Sequence, residues 1–145
     1  MDVIKLARRL VETPTAKLLQ NAIDKPRIKE LIIRLNTEDQ LRTKNEDSNG
    51  VKLASIGGGY TAFTMQQKGI SDPTRVTLFD TGAYYASFRV VALGSGDYAI
   101  DSNSSIHGDD LEDRYGENLA GLQKQNSRIA NKAIDKQVVK NLLRA

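Results

Sequence analysis

An α+β fold, with helices at both ends and a small antiparallel sheet between them, is what these 145 residues predict. Apolar residues recur at every third or fourth position in the first third and again in the last, as they do on one face of a helix. The middle instead holds short β-branched and aromatic runs bounded by glycine. Between the two regimes lies "KNEDSNG" (44–50), a polar run of turn formers and the clearest break in composition. The apolar fraction of 39% suits a globular chain, and the length fits one domain spanning 1–145.

Val3, Ile4, Leu6, Ala7, Leu10 and Val11 predict a first amphipathic helix, which Thr13-Pro14 interrupts. Leu18, Leu19, Ala22 and Ile23 resume the pattern. Pro26 ends it and holds Lys25 out of helical torsions. Ile28, Leu31, Ile32 and Leu35 then predict a helix over about 26–43. Residues 1–44 therefore read as a helical hairpin, 45–50 as a linker and 51–122 as the α+β body. Within the body the 51–67 signal is weak, with "IGGGY" as a bend and "YTAFTM" as a short strand or irregular loop. Strands are expected at "RVTLF" (75–79), "SFRVVAL" (87–93) and "DYAID" (97–101), the last two joined by a Gly94-Ser95-Gly96 hairpin loop. "SNSSIHGDD" reads as loop, followed by a short helix from about Asp109 to Gly116. Asn126 or Ser127 would cap a C-terminal amphipathic helix over 126–144, with Ala130, Ala133, Ile134, Val138 and Leu142 as its stripe.

The net charge of +3 hides a segregation. Residues 1–44 hold ten Lys/Arg against six Asp/Glu, residues 45–118 five against eleven, and residues 119–145 six against one. Basic ends around an acidic middle suit docking between copies of the chain, contact with nucleic acid, or simply solvated helix faces. Without cysteine, disulfides and cysteine-ligated zinc are excluded, in keeping with a reducing cytoplasm. "MDVIKLARRLVE" lacks the apolar core of a signal peptide and no later run is long enough for a membrane span, so a soluble protein is expected.

The triplet Asp80-Thr81-Gly82 after an apolar run matches the spelling of an aspartic-protease active site, where two paired carboxylates share a proton. Such a fold is nearly all strand, whereas here strongly helical thirds flank the triplet. A structural reading accounts for each letter: Asp80 caps a short helix by accepting the Ala83 N–H, Gly82 permits the turn, and Tyr85 and Phe88 bury on one face. The stretch is then a strand–short helix–strand corner.

Three blocks, "NTEDQLRTKNEDSNGVKL", "DPTRVTLFDTGAYYASFRV" and "RYGENLAGL", resemble in that order a group of small virion proteins of tailed bacteriophages, found among crAss-like phages and other phages of Bacteroidales. The resemblance covers about residues 33–122. A broader similarity holds to tail-completion proteins of long-tailed phages. The resemblance implies a neck or head–tail connector subunit that forms a ring with its own copies and contacts portal and other tail proteins, with packaged DNA passing nearby. It further implies a location in the virion after assembly in the host cytoplasm. It carries Asp80, Thr81, Gly82, Tyr85, Ser87, Phe88, Tyr115, Gly116 and Gly121 as motif residues that shape the fold, and no catalytic residue or cofactor.

The remaining candidates are weaker. His107 stands near Asp109, Asp110, Glu112 and Asp113, a combination able to hold a divalent metal but equally a helix-capping cluster. "DSNSS" lacks the Gly and Glu of a calcium loop, and Gly57-Gly58-Gly59 lacks the Gly-Lys-Ser/Thr of a phosphate loop. Lys132, Lys136, Lys140 and Arg144 recur at every fourth position, a possible nucleic-acid stripe and the basis of a DNA-binding alternative, although the aromatic residues lie elsewhere.

Overall fold

A computed structural model describes residues 2–69, 71–106 and 109–144 and shows the mixed α+β class. Three helices open the chain: α1 (Val3–Glu12), α2 (Thr15–Ile23) and α3 (Pro26–Arg34). Asp2 starts α1 by accepting the N–H groups of Ile4 at 3.0 Å and Lys5 at 3.2 Å. Pro26 occupies the first turn of α3, where its missing N–H costs nothing, and Lys25 before it is extended.

The helix expected to run on to about residue 43 does so, but with a changed hydrogen-bond pattern. From Leu35 to Lys44 it widens into a π-helix, unusually long for a form that commonly lasts one turn. The change begins where the Thr37 hydroxyl donates to Ile33 O at 2.8 Å, side-chain competition at the junction of the two ladders. Asn45 ends it in the left-handed conformation (φ 57°), its amide donating to Leu41 O and Arg42 O. Residues 45–50 form a closed turn, since the buried Asp47 accepts from Asn49 and Val51 N–H at 2.9 and 3.0 Å.

The body differs from expectation in several places. Residues 51–67 carry two short helices, α4 (Leu53–Gly57) and α5 (Ala62–Lys68), in place of a strand or irregular loop. Thr61 caps α5 through its hydroxyl and Gly69 closes it at φ 65°. The strand expected over 75–79 does not form, although Val76, Thr77 and Leu78 are buried. After the corner helix α6 (Ala83–Ala86) comes a two-stranded antiparallel sheet, β1 (Arg89–Ala92) on β2 (Tyr98–Asp101), pairing Val90 with Ile100. The expected loop contains a minimal second pairing, β3 (Ser105–Ile106) on β4 (Asp109–Asp110). Then α7 (Leu111–Tyr115) starts at Asp110 and stops at Gly116. The last helix, α8 (Lys124–Arg144), begins earlier than expected, so Asn126 lies inside it and caps nothing.

Two apolar clusters hold these elements. One gathers Leu41, Leu53, Val76, Tyr85, Tyr115 and Leu119 under the corner. The other places Ile23, Ile28 and Ile32 of the first helices against Val90 of the sheet and Ala130 and Ile134 of α8. Ile33 and Ile100 touch both. A two-stranded sheet is marginal alone, and here α3 and the second cluster back it.

Between α8 and the π-helix runs a buried amide network. Asn36 donates to Leu119 O at 2.9 Å and accepts from Gly121 N at 2.7 Å. Gln40 donates to Gly121 O at 2.8 Å and accepts from Gln123 N at 2.8 Å and Asn126 Nδ2 at 3.0 Å. Asn126 also reaches Asp39 at 2.9 Å, and Gln123 reaches Glu46 and the carbonyl of Asp47. Burial by itself would raise the Asp39 pKa, but the bonds from Asn126 and Lys44 and the Lys44 charge pull it below the ordinary carboxylate value.

Truncating Gln40 to Ala strands backbone groups of Gly121 and Gln123 together. Gln40→Ala is therefore expected to lower unfolding stability by about 1–3 kcal/mol, read as a shift of the urea midpoint.

Candidate functional site

The corner at Asp80 is built by side chains bonding to backbone. Tyr60 Oη accepts from Thr77 N at 3.0 Å and Leu78 N at 3.2 Å, two successive N–H groups that a regular strand would aim at opposite edges. Thr77 Oγ1 accepts from Phe79 N at 3.2 Å, and the Tyr85 hydroxyl donates to Thr77 O. Lys68 Nζ donates to Phe79 O at 2.6 Å. Leu78 sits at φ 58°, a left-handed torsion that breaks any pleat and accounts for the missing strand.

The motif residues fall around this run. Asp80 is exposed and does not cap α6: the Ala83 N–H goes to the Thr81 hydroxyl at 3.3 Å. Gly82 turns at φ 84° immediately before α6, its hydrogen facing the Phe79 ring. Tyr85 and Phe88 are buried as expected, and Tyr84 joins them, its ring edge-on to Phe88 at 5.0 Å. Ser87 donates to Tyr84 O at 2.6 Å and accepts from Asn103 N at 3.0 Å, which ties α6 to the loop after β2. Tyr115 is buried, and a Cβ on Gly57 would come within 2.6 Å of its ring. Gly116 ends α7 at φ 87°, and Gly121 holds both its backbone groups in the amide network.

Burial pushes the tyrosine hydroxyls toward the neutral form: Tyr84 up to about 12 and Tyr85 further still, with Tyr98 and Tyr115 moved the same way.

Beside the corner, α5 and α7 enclose an open cleft of about 680 Å³ with Asp80, Tyr84 and Asp113 among its walls. Its two cations are already engaged. Lys68 holds Phe79 O and lies 5.3 Å over the Tyr60 ring, and Arg114 Nε donates to Gly57 O at 3.0 Å. The Asp80 carboxylate accepts no hydrogen bond from the described residues. An aspartic-protease turn sets two carboxylates face to face in a strand-rich frame; this triplet links an unpaired run to a one-turn helix. His107 lies outside the described residues, and among those described no cluster of three or more His, Asp or Glu is placed to hold a metal.

Lys132, Lys136, Lys140 and Arg144 are all exposed on α8, and the same four-residue spacing extends back through Arg128 and Lys124. None of the six makes an ion pair with a described residue. Ile129, Val139 and Leu143 stand exposed among them.

Set against models of protein families, curated proteins and solved structures, the chain matches none of them.

Sequence reading passed over Tyr60, Asn36, Gln40 and Gln123, and gave Asn126 a capping role it does not have. The signal for two of them was present: Ile28, Ile32, Asn36 and Gln40 form one every-fourth-residue row, whose apolar members give way to amides while still buried. Nothing local to Tyr60 announces a partner 17 residues away.

Tyr60→Phe leaves two N–H groups without their acceptor, so a stability loss of about 1–3 kcal/mol is expected. Asp80→Asn should stay within about 0.5 kcal/mol of the parent, and paired urea titrations distinguish the two. Because the folded Tyr84 and Tyr85 hydroxyls titrate above the unfolded value of 10.0, their contribution is complete below that pH. Stability should therefore fall as pH rises from about 10 through about 12, seen as loss of circular dichroism together with tyrosinate absorbance.

Proposed function

We propose that this chain is a non-catalytic structural subunit of a tailed-bacteriophage virion, in the neck, head–tail connector or tail-completion ring that joins portal to tail. The supporting observation is apolar surface that a single copy leaves uncovered. On α1, Val3 and Val11 are 70% and 86% exposed, and Phe63 of α5 is 68% exposed. Val91 and Leu93 of the hairpin and Val139 and Leu143 of α8 also face solvent. Branched aliphatic and aromatic groups spread over several elements, with charges between them, suit a subunit that buries these faces against neighbours.

The placement of the motif blocks agrees with this reading. "LNTEDQL" and Gly121 meet in one amide network, and the Asp80 block builds the tyrosine-held corner, so the shared residues act on shape. The partners are further copies, portal and other neck or tail proteins, with packaged DNA nearby. The location is the virion, after assembly in the host cytoplasm. No helix among the described residues is long and apolar enough to cross a membrane.

The unpaired basic row of α8 favours a second reading, a DNA-binding accessory protein. That reading requires salt-sensitive retention of duplex DNA, weakened by Lys132→Glu with Lys136→Glu.

For the structural reading, purified protein should self-associate with rising concentration in analytical ultracentrifugation, or associate with purified portal or tail proteins. A chain that stays monomeric and binds neither class of component overturns it.

A further inference from the structure

Two surfaces on this chain complement each other, and neither is covered within one copy. The first is the outer face of the β1–β2 hairpin. Val90 points inward, so Arg89, Val91 and Leu93 point out, opposite Asp101, Ala99 and Asp97. The exposed face is thus an apolar centre with Asp97 and Asp101 along one strand, Asp101 being tied to Arg89 at 2.8 Å. A two-stranded sheet normally needs cover on an apolar face.

The second surface is the solvent side of α8. There Val139 and Leu143 lie one helical turn apart, about 6 Å along the axis, close to the roughly 6.6 Å between alternate residues such as Val91 and Leu93 on a strand. Lysines flank them. Lys132 and Lys140 are separated by about 12 Å of helix, and Asp97 and Asp101 by about 13 Å of strand. The helix face is basic apart from Asp135, while on the sheet face Asp97 makes no ion pair with a described residue and Asp101 shares Arg89. The two faces are therefore opposite in overall sign, and the separations within the charged pairs and within the apolar pairs agree. Aliphatic side chains gain nothing against a phosphate backbone, and this favours a protein partner for the face.

Resting on the assembly reading above, we infer that copies of this chain join head to tail, the outer face of α8 on one copy seated on the outer face of the β1–β2 hairpin of the next. Both elements close the second apolar cluster with their inner faces, so the outer faces are separate surfaces available at once. Two different surfaces make a heterologous contact, which propagates into a ring or filament. A two-fold contact through α8 would instead set its unpaired lysines against one another.

The cysteine-free sequence allows a direct test. With Leu93→Cys and Val139→Cys in one chain, mild oxidation of the otherwise intact protein should give a ladder of covalent multimers, while each single variant gives none. Lys132→Glu with Lys136→Glu should weaken self-association by about tenfold or more, as should Val91→Lys with Asp97→Lys. Mixing the two charge variants should restore it, since each then offers the sign the other lacks. Dimers from Val139→Cys alone, or self-association indifferent to both charge variants, overturn the head-to-tail contact and leave the structural reading standing. So does a chain that binds portal yet never itself. Duplex DNA retained by the parent and lost in the lysine variant, with no ladder, assigns the face to phosphate and also overturns the contact. A chain that joins neither itself nor any virion protein ends both readings.

Discussion

The buried amides of Asn36 and Gln40 are the constraint on which the remaining architecture depends. Each fixes backbone of the 119–123 segment from the far side of the chain, at sequence separations of 81 to 85 residues. Without those bonds, the passage from α7 into α8 would carry buried N–H and C=O groups with no ladder to join. The same segment sets where α8 begins, and α8 closes the second apolar cluster over the first three helices. No buried side-chain nitrogen or oxygen among the described residues lacks a partner, so the network is complete. Complete polar networks specify one arrangement where an apolar contact would tolerate several.

The corner applies the same logic at smaller scale. A buried irregular run needs partners for its backbone, and in place of a neighbouring strand it has Tyr60, Tyr85 and Lys68. A left-handed Leu costs about 1–2 kcal/mol, which those bonds and the burial of Leu78 at 8% exposure offset. The outcome places Asp80 in solvent while its neighbours Tyr84, Tyr85 and Phe88 form the core. A sequence that spells a catalytic triplet is here a bend with its aromatic residues turned inward.

Periodicity made the fold class, the sheet hairpin and the terminal helices legible. Ile28 and Ile32, or Ala130 and Ile134, announce their faces by spacing alone, and Gly94 and Gly96 mark the turn between β1 and β2. Illegible were the features settled by distant partners. Val76-Thr77-Leu78 has the composition of a strand, but Leu78 turns left-handed and the distant Tyr60 hydroxyl takes two of the run's N–H groups. Asn126 reads as a cap because amides cap helices, but α8 already begins at Lys124 and the Asn126 amide bonds to Gln40. The widened Leu35–Lys44 turn has no local pattern that separates it from an ordinary helix. At the corner, residue types pointed to the burial of Tyr85 and Phe88, while they misplaced the acceptor for the Ala83 N–H, which is Thr81 and not Asp80.

The long reach of Asn36 and Gln40 also bears on how the chain is made. Translation delivers the π-helix some 85 residues before the glycine it must hold. At about 5–20 residues per second the interval lasts several seconds. Until the 119–123 segment exists the Asn36 and Gln40 amides lack their native backbone partners, and contacts of such separation form slowly in any case. Native locking therefore cannot be complete before the 119–126 segment has been made.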